Sequence, residues 1–144
     1  MSYKFLEDTA IAAVAFEADG AILQELFESA ALAVTGTMVK DVGRIKRRVK
    51  KPIGVAAENV EMLLFSFLQK LIFYKDAELL LFNAFHFDVI EQKGDSWYLC
   101  AEAYGEEIDQ QSHELLADVK AVSLHNFVME KAPEGWRASI ILDV

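Results

Sequence analysis

The sequence predicts an α+β domain of two layers, with two helices packed on a mostly antiparallel sheet. Two observations carry that prediction. Apolar residues recur at helical spacing in two stretches, both in the first half of the chain. The second half instead alternates apolar and polar residues in runs separated by turn residues. A third observation sets the domain count: no low-complexity segment or linker divides the 144 residues, so one domain spanning 1–144 is expected.

Residues 1–18 read as extended, densely apolar from Ala10 to Phe16, and Asp19-Gly20 makes a turn. Ile22, Leu26, Ala30 and Ala33 then line one face of a helix of about four turns ending near Gly36, with Glu25 and Glu28 outside. Residues 42–49 look like a strand, with Ile45, Arg47 and Val49 on one face, closed by Pro52 and Gly54. The second helix is expected over residues 57–75, striped by Val60, Leu63, Leu64, Phe67, Leu68, Leu71 and Tyr74. Met62, Phe65 and Phe73 widen its apolar surface, so it is packed on more than one side or offers a patch to a partner; the first reading is preferred. Phe85, Phe87 and Val89 alternate with His86 and Asp88, residues 92–95 turn, and Trp97, Leu99 and Ala101 carry the return strand. An acidic loop follows the Gly105 turn and runs to Asp118. The chain closes with a strand around Val122, a turn at 132–135, and a last strand to Asp143.

Composition narrows the function classes. With 53% hydrophobic and 26% charged residues the chain reads as a folded soluble protein. A net charge of −9 works against stable direct nucleic-acid binding. Seven of the fourteen basic residues nevertheless fall between Lys40 and Lys51. They make either a solvated edge strand or a contact for phosphate or an acidic partner, and the edge strand is preferred. Cys100 is the single cysteine, which excludes an intramolecular disulfide and a CxxC site. With no signal core and no charge-free span long enough for a bilayer, a cytoplasmic protein without membrane association is expected.

The segment from Gly105 to Phe127 concentrates the chemistry: His113 in the acidic loop, then Lys120, Ser123 and His125 in what reads as core strand. Buried titratable groups are costly unless paired. No phosphate loop, HExxH or GxSxG motif is present. Ser123 and His125, two apart on a strand, would share a face and could form a triad with Asp109 or Asp118, but a small core serine is the plainer reading. His86 is expected on the wetter face of its strand, and His113 to order Glu106, Asp109 or Glu114 by hydrogen bonding. Near the chain end, Asp143, neighbouring carbonyls and a terminal carboxylate offer hard oxygen donors, and Asp8 would join them if the first and last strands were neighbours.

Tyr3-Lys4-Phe5-Leu6-Glu7-Asp8-Thr9-Ala10, Leu23-Gln24-Glu25-Leu26-Phe27-Glu28-Ser29-Ala30-Ala31 and Leu63-Leu64-Phe65-Ser66-Phe67-Leu68 resemble motifs of the archease family. So do Ala103-Tyr104-Gly105-Glu106, His113-Glu114, Val119-Lys120-Ala121-Val122 and the Asp143-Val144 end. The resemblance implies a non-enzymatic accessory protein of the GTP- and manganese-dependent RNA-splicing ligase of tRNA splicing, promoting guanylylation of a ligase histidine and multiple turnover. It also implies, as an alternative, a chaperone-like modulator of a tRNA methyltransferase. Lys120 matches the family lysine important for activation, while Asp143 and Val144 match the site for calcium or another divalent cation. The sequence departs from the family at the N-terminal metal-binding aspartate, which falls on Ile11 or Ala13, so weak or absent calcium binding is expected unless Asp8 supplies the carboxylate. The mechanism expected from these pieces is a mobile acidic loop and a metal-bearing tip reaching into a partner's active site.

Overall fold

Among the described residues, two antiparallel sheets and two helices make up the α+β layers that the sequence predicts. The computed structural model describes residues 1–6 and 12–144. Strands β1 (Ser2–Leu6), β2 (Ala13–Gly20), β7 (Gly135–Asp143) and β6 (Ala121–Ala132) form one sheet in the order β1-β2-β7-β6. Strands β3 (Val49–Ala57), β5 (Ser96–Glu107) and β4 (Leu80–Lys93) form the other, in the order β3-β5-β4. Helices α1 (Leu23–Met38) and α2 (Val60–Glu78) fill the space between them. No helix among the described residues is long and apolar enough to cross a membrane.

Helix α1 begins without a side-chain cap at Ile22, but the Glu25 carboxylate reaches back to accept the Ala21 N–H at 2.8 Å. That bond satisfies one amide at the helix start. Its buried face is rich in small residues, Ala30, Ala31 and Ala33, around Leu26, Phe27 and Val34. Helix α2 begins at Asn59, whose side chain accepts the Met62 N–H at 2.8 Å. It ends where Leu79 enters the left-handed region at φ 57°. The wide apolar surface of α2 is core: the helix packs on β3, β4, β5 and β6 as well as α1, and Phe73 is its one large apolar side chain left exposed. Phe67, fully buried, meets the rings of Phe27, Phe85 and Phe87 at centroid distances of 5.7, 5.9 and 5.6 Å.

The structure corrects several boundaries. Asp19 and Gly20 are the last residues of β2 and not a turn. Residues 42–49 are not a strand. Val42–Arg44 is a 3-10 turn capped by the Asp41 side chain, and β3 starts only at Val49. The backbone there finds its partners elsewhere: Asn83 Nδ2 donates to the carbonyls of Val42 and Ile45 at 3.0 and 2.8 Å. Pro52 and Gly54 lie inside β3, opposite Glu102 and Cys100, which an edge strand tolerates. Gly105 is likewise no turn. It sits within β5 where β4 crosses so closely that a Cβ would lie 2.7 Å from the Leu81 carbonyl carbon and 2.8 Å from Phe82 Cα.

Candidate functional site

Strand register gathers the predicted site at one end of the four-stranded sheet. Asp143 on β7 stands opposite Ala13 on β2 and Ala121 on β6. The Lys120 N–H donates to the Asp143 carbonyl at 2.8 Å, and the Val144 N–H to the Ala12 carbonyl at 3.0 Å. Alternation along β7 buries Leu142 and turns Asp143 outward, so the side chains of Lys120 and Asp143 are both exposed. Lys120, Asp143 and Val144 are therefore brought together. The segment expected to be extended over residues 1–18 contributes both β1 and most of β2, and of these β2 is the direct neighbour of the last strand. Asp8 and Ile11 lie outside the described residues.

The described groups do not fit a calcium site by themselves. Calcium takes six to eight oxygens. Here Asp143 contributes a carboxylate and Val144 backbone oxygen, while Ala13 places a methyl group opposite Asp143. Among the described residues, no three His, Cys, Asp or Glu side chains gather into a set that could hold an ion.

The acidic loop is hydrogen-bonded to the body of the fold at several points along its length. Ile108 N–H donates to the Leu79 carbonyl at 2.7 Å, Lys40 N–H to Glu114 at 2.9 Å, and Leu116 N–H to Met38 at 2.8 Å. At its centre His113 is buried, as expected of an ordering residue. The ring Nδ1 accepts the Asp109 N–H at 3.0 Å, which assigns the proton to Nε2, 3.0 Å from Glu106 Oε2. Glu106 Oε2 also accepts the Lys46 N–H at 2.7 Å. That backbone hydrogen bond, then the one from His113, holds the Glu106 carboxyl below its ordinary pKa against the opposing effect of burial.

Two side chains of α2 that sequence reasoning overlooked bound the site. Lys75 is buried and donates to the Asp118 carboxylate and, at 2.9 Å, to the Val119 carbonyl. Burial alone would lower its pKa, but the hydrogen bonds to Asp118 and Asp76 outweigh that and raise it. Gln69 Oε1 accepts the Val122 N–H at 2.8 Å. The available signal was a lysine on the apolar stripe of α2 and a glutamine on its flank.

Lys120 and His125 do not sit in a core strand. Lys120 precedes β6, β6 is an edge, and its pairing with β7 breaks between Ser123 and Val128. Asn126 there adopts φ 54°. The Ser123 hydroxyl accepts the His125 backbone N–H at 3.1 Å, while the exposed His125 ring meets Asn126 instead. Asp109 is occupied by Gln111 and Ser112, and Asp118 by Lys75, so the hydrolytic triad does not form. His86 is exposed, 3.0 Å from Asp88. In the basic segment, Lys40, Arg48, Lys50 and Lys51 each pair with a glutamate, at 3.9, 3.8, 3.2 and 2.7 Å. Only Lys50 and Lys51 lie on the edge strand β3, so most of the basic segment is a run of solvated charges ahead of the strand and not the edge strand expected.

These features define a class: a two-sheet α+β domain whose exposed polar groups gather at a strand end rather than in an enclosed cleft. Residues 3–144 match the model of the Archease protein family (MTH1598/TM1083). The protein archease of Pyrococcus furiosus is 39% identical over 126 residues, covering 87% of each chain. That of Methanosarcina acetivorans is 29% identical over 142 residues, covering 99% of this chain and 95% of the relative. The solution structure of Methanobacterium thermoautotrophicum protein 1598 superposes with a TM-score of 0.84 at 33% identity over 99% of both chains. A crystal structure from Thermotoga maritima, described as an archease and possible chaperone, shares the fold at a TM-score of 0.60 and 16% identity, covering 96% of both chains. The chain belongs to the archease family.

Proposed function

We propose that this chain is a protein cofactor of a GTP- and manganese-dependent RNA-splicing ligase in the cytoplasm, stimulating guanylylation of the ligase and its multiple turnover without being an enzyme itself. The observation that supports the reading is the pairing at the strand end: Lys120 hydrogen-bonds through its backbone to Asp143, and both side chains face solvent. Guanylyl transfer from GTP builds negative charge on the leaving pyrophosphate. A lysine presented on an anchored backbone supplies a compact positive charge to meet it. The net charge of −9 suits docking to a protein better than to RNA. A divalent cation, calcium first, would be held by Asp143 and Val144 with Asp8 as the missing carboxylate. It would supply positive charge beside Lys120, and no step is assigned to it.

The test is a ligase guanylylation and multiple-turnover assay with the wild type, Lys120→Ala and Asp143→Ala. Lys120→Ala is expected to lower stimulation roughly ten- to a hundredfold, the equivalent of one charge-assisted contact. If both variants stimulate as well as the wild type, the assignment fails. A second reading, a chaperone-like module for a partner such as a tRNA methyltransferase, draws on the exposed Leu115 and Leu116 beside the loop anchor. Co-purification separates the two, since only the first requires the ligase.

A further inference from the structure

The inner side of α2 carries apolar side chains except where it faces the segment leading into β6. There it takes hold of the backbone twice. Lys75 grips the Val119 carbonyl and the Asp118 carboxylate, and Gln69 grips the Val122 N–H. Six residues along a helix rise about 9 Å and turn it by about 240°, so Gln69 and Lys75 leave α2 on different flanks. The three residues from Val119 to Val122 span about 10 Å when extended, enough for the segment to meet both. Lys120 falls between the two grips, with its own N–H tied to Asp143 on the far side. Its ammonium makes no ion pair among the described residues, so the backbone is held on three sides while the charged end is left free.

The two contacts satisfy the Val119 carbonyl and the Val122 N–H, and in doing so they also fix the course of the chain between those residues. We propose that Gln69 and Lys75 are positioning residues that fix the direction in which Lys120 is presented to the partner. The inference rests on the reading of Lys120 as the group that acts on the ligase. A lysine stem is long and loses conformational freedom when it engages a target, so anchoring its root reduces the ordering left to the moment of contact.

The experiment compares Gln69→Met, Gln69→Glu and Lys75→Met with wild type and Lys120→Ala. It uses the maximal rate of ligase guanylylation at saturating activator, the half-saturating concentration, and the melting temperature. Gln69→Met is expected to lower the maximal rate roughly fivefold, the worth of one ordinary hydrogen bond, with Lys75→Met moving the same way. Gln69→Glu, which keeps an acceptor for the Val122 N–H, should restore the rate to within about twofold. On a Lys120→Ala background, Gln69→Met should cause no further loss, because both act through one side chain. A Gln69→Met protein that melts earlier yet reaches the wild-type maximal rate overturns the proposal, as does a loss that multiplies with that of Lys120→Ala. If Lys120→Ala alone retains full stimulation, the reading of Lys120 and the inference fall together.

Discussion

Replacing Glu106 by alanine removes the carboxylate from which the centre of the acidic loop hangs. Its Oε2 takes the Lys46 N–H at 2.7 Å and the His113 Nε2 at 3.0 Å, and its Oε1 lies 3.8 Å from Arg48 Nε. The His113 side chain is 0% exposed, so its orphaned N–H has no water to turn to. A buried donor left without a partner costs about 1–3 kcal/mol. The two donors together imply about 3 kcal/mol, since Lys46 is exposed and its amide recovers part of the loss from solvent. With a urea slope of about 2 kcal/mol/M, the unfolding midpoint should fall by roughly 1.5 M. Glu106→Gln keeps an acceptor for both donors and loses only the charge, so about 1 kcal/mol is expected. The pH dependence has a definite sign. The folded-state pKa of Glu106 lies below the ordinary 4.5, so its stabilisation is fully present above that value and is lost as pH falls through the folded-state pKa. The gap between wild type and Glu106→Gln should therefore be widest near neutrality and close progressively below the ordinary value. Urea titrations followed by tryptophan fluorescence at several pH values measure both effects. An unchanged midpoint for Glu106→Ala at neutral pH, or a Gln gap that stays constant into acid, would refute this role for the Glu106 carboxylate.

Gly105→Ala should cost at least about 2 kcal/mol, because the new methyl runs into the Leu81 and Phe82 backbone; Gly54→Ala, with nothing within 4 Å of its Cβ, should be neutral or stabilise by up to about 1 kcal/mol. Thermal melting of the two variants side by side checks this, and equal melting temperatures would deny the close strand approach. Calcium titrated into the purified protein should bind with a Kd of about 1 mM or weaker, with Asp143→Asn removing what binding there is. Micromolar binding by calorimetry would contradict the incomplete donor set and point to Asp8 as the missing ligand.

Both helices were readable because apolar spacing is a property of one segment at a time: α2 shows its stripe whatever it packs against. The β4–β5 hairpin, with Gly94 at φ 60°, was legible for the same local reason. What escaped was decided by distant partners. Residues 42–49 alternate like a strand, but Asn83 takes two of the carbonyls and Asp41 caps the turn. Gly105 looks like punctuation in sequence, and only the approach of β4 explains it. At the site, Lys120, Asp143 and Val144 were legible as separate residues, and strand pairing puts them side by side. The clasp from Gln69 and Lys75 was not, since nothing in α2 announces which segment a polar side chain will hold. The loop's course was hidden in part, because beside the His113–Glu106 contact three of its anchors are backbone carbonyls of Thr37, Met38 and Leu79, which carry no side-chain signature.

The pairing of β2 with β7 joins residues more than a hundred positions apart, from Ala13↔Asp143 to Gly20↔Trp136. Such contacts are slow to form, because the chain must close a long loop before any bond is gained. Helices and the β3-β5-β4 sheet draw on nearer segments, so the four-stranded sheet completes only once β7 has slotted between β2 and β6. The strand end bearing Lys120 and Asp143 does not exist before that event. A partner that recognised this surface would thereby discriminate finished molecules from partly folded ones.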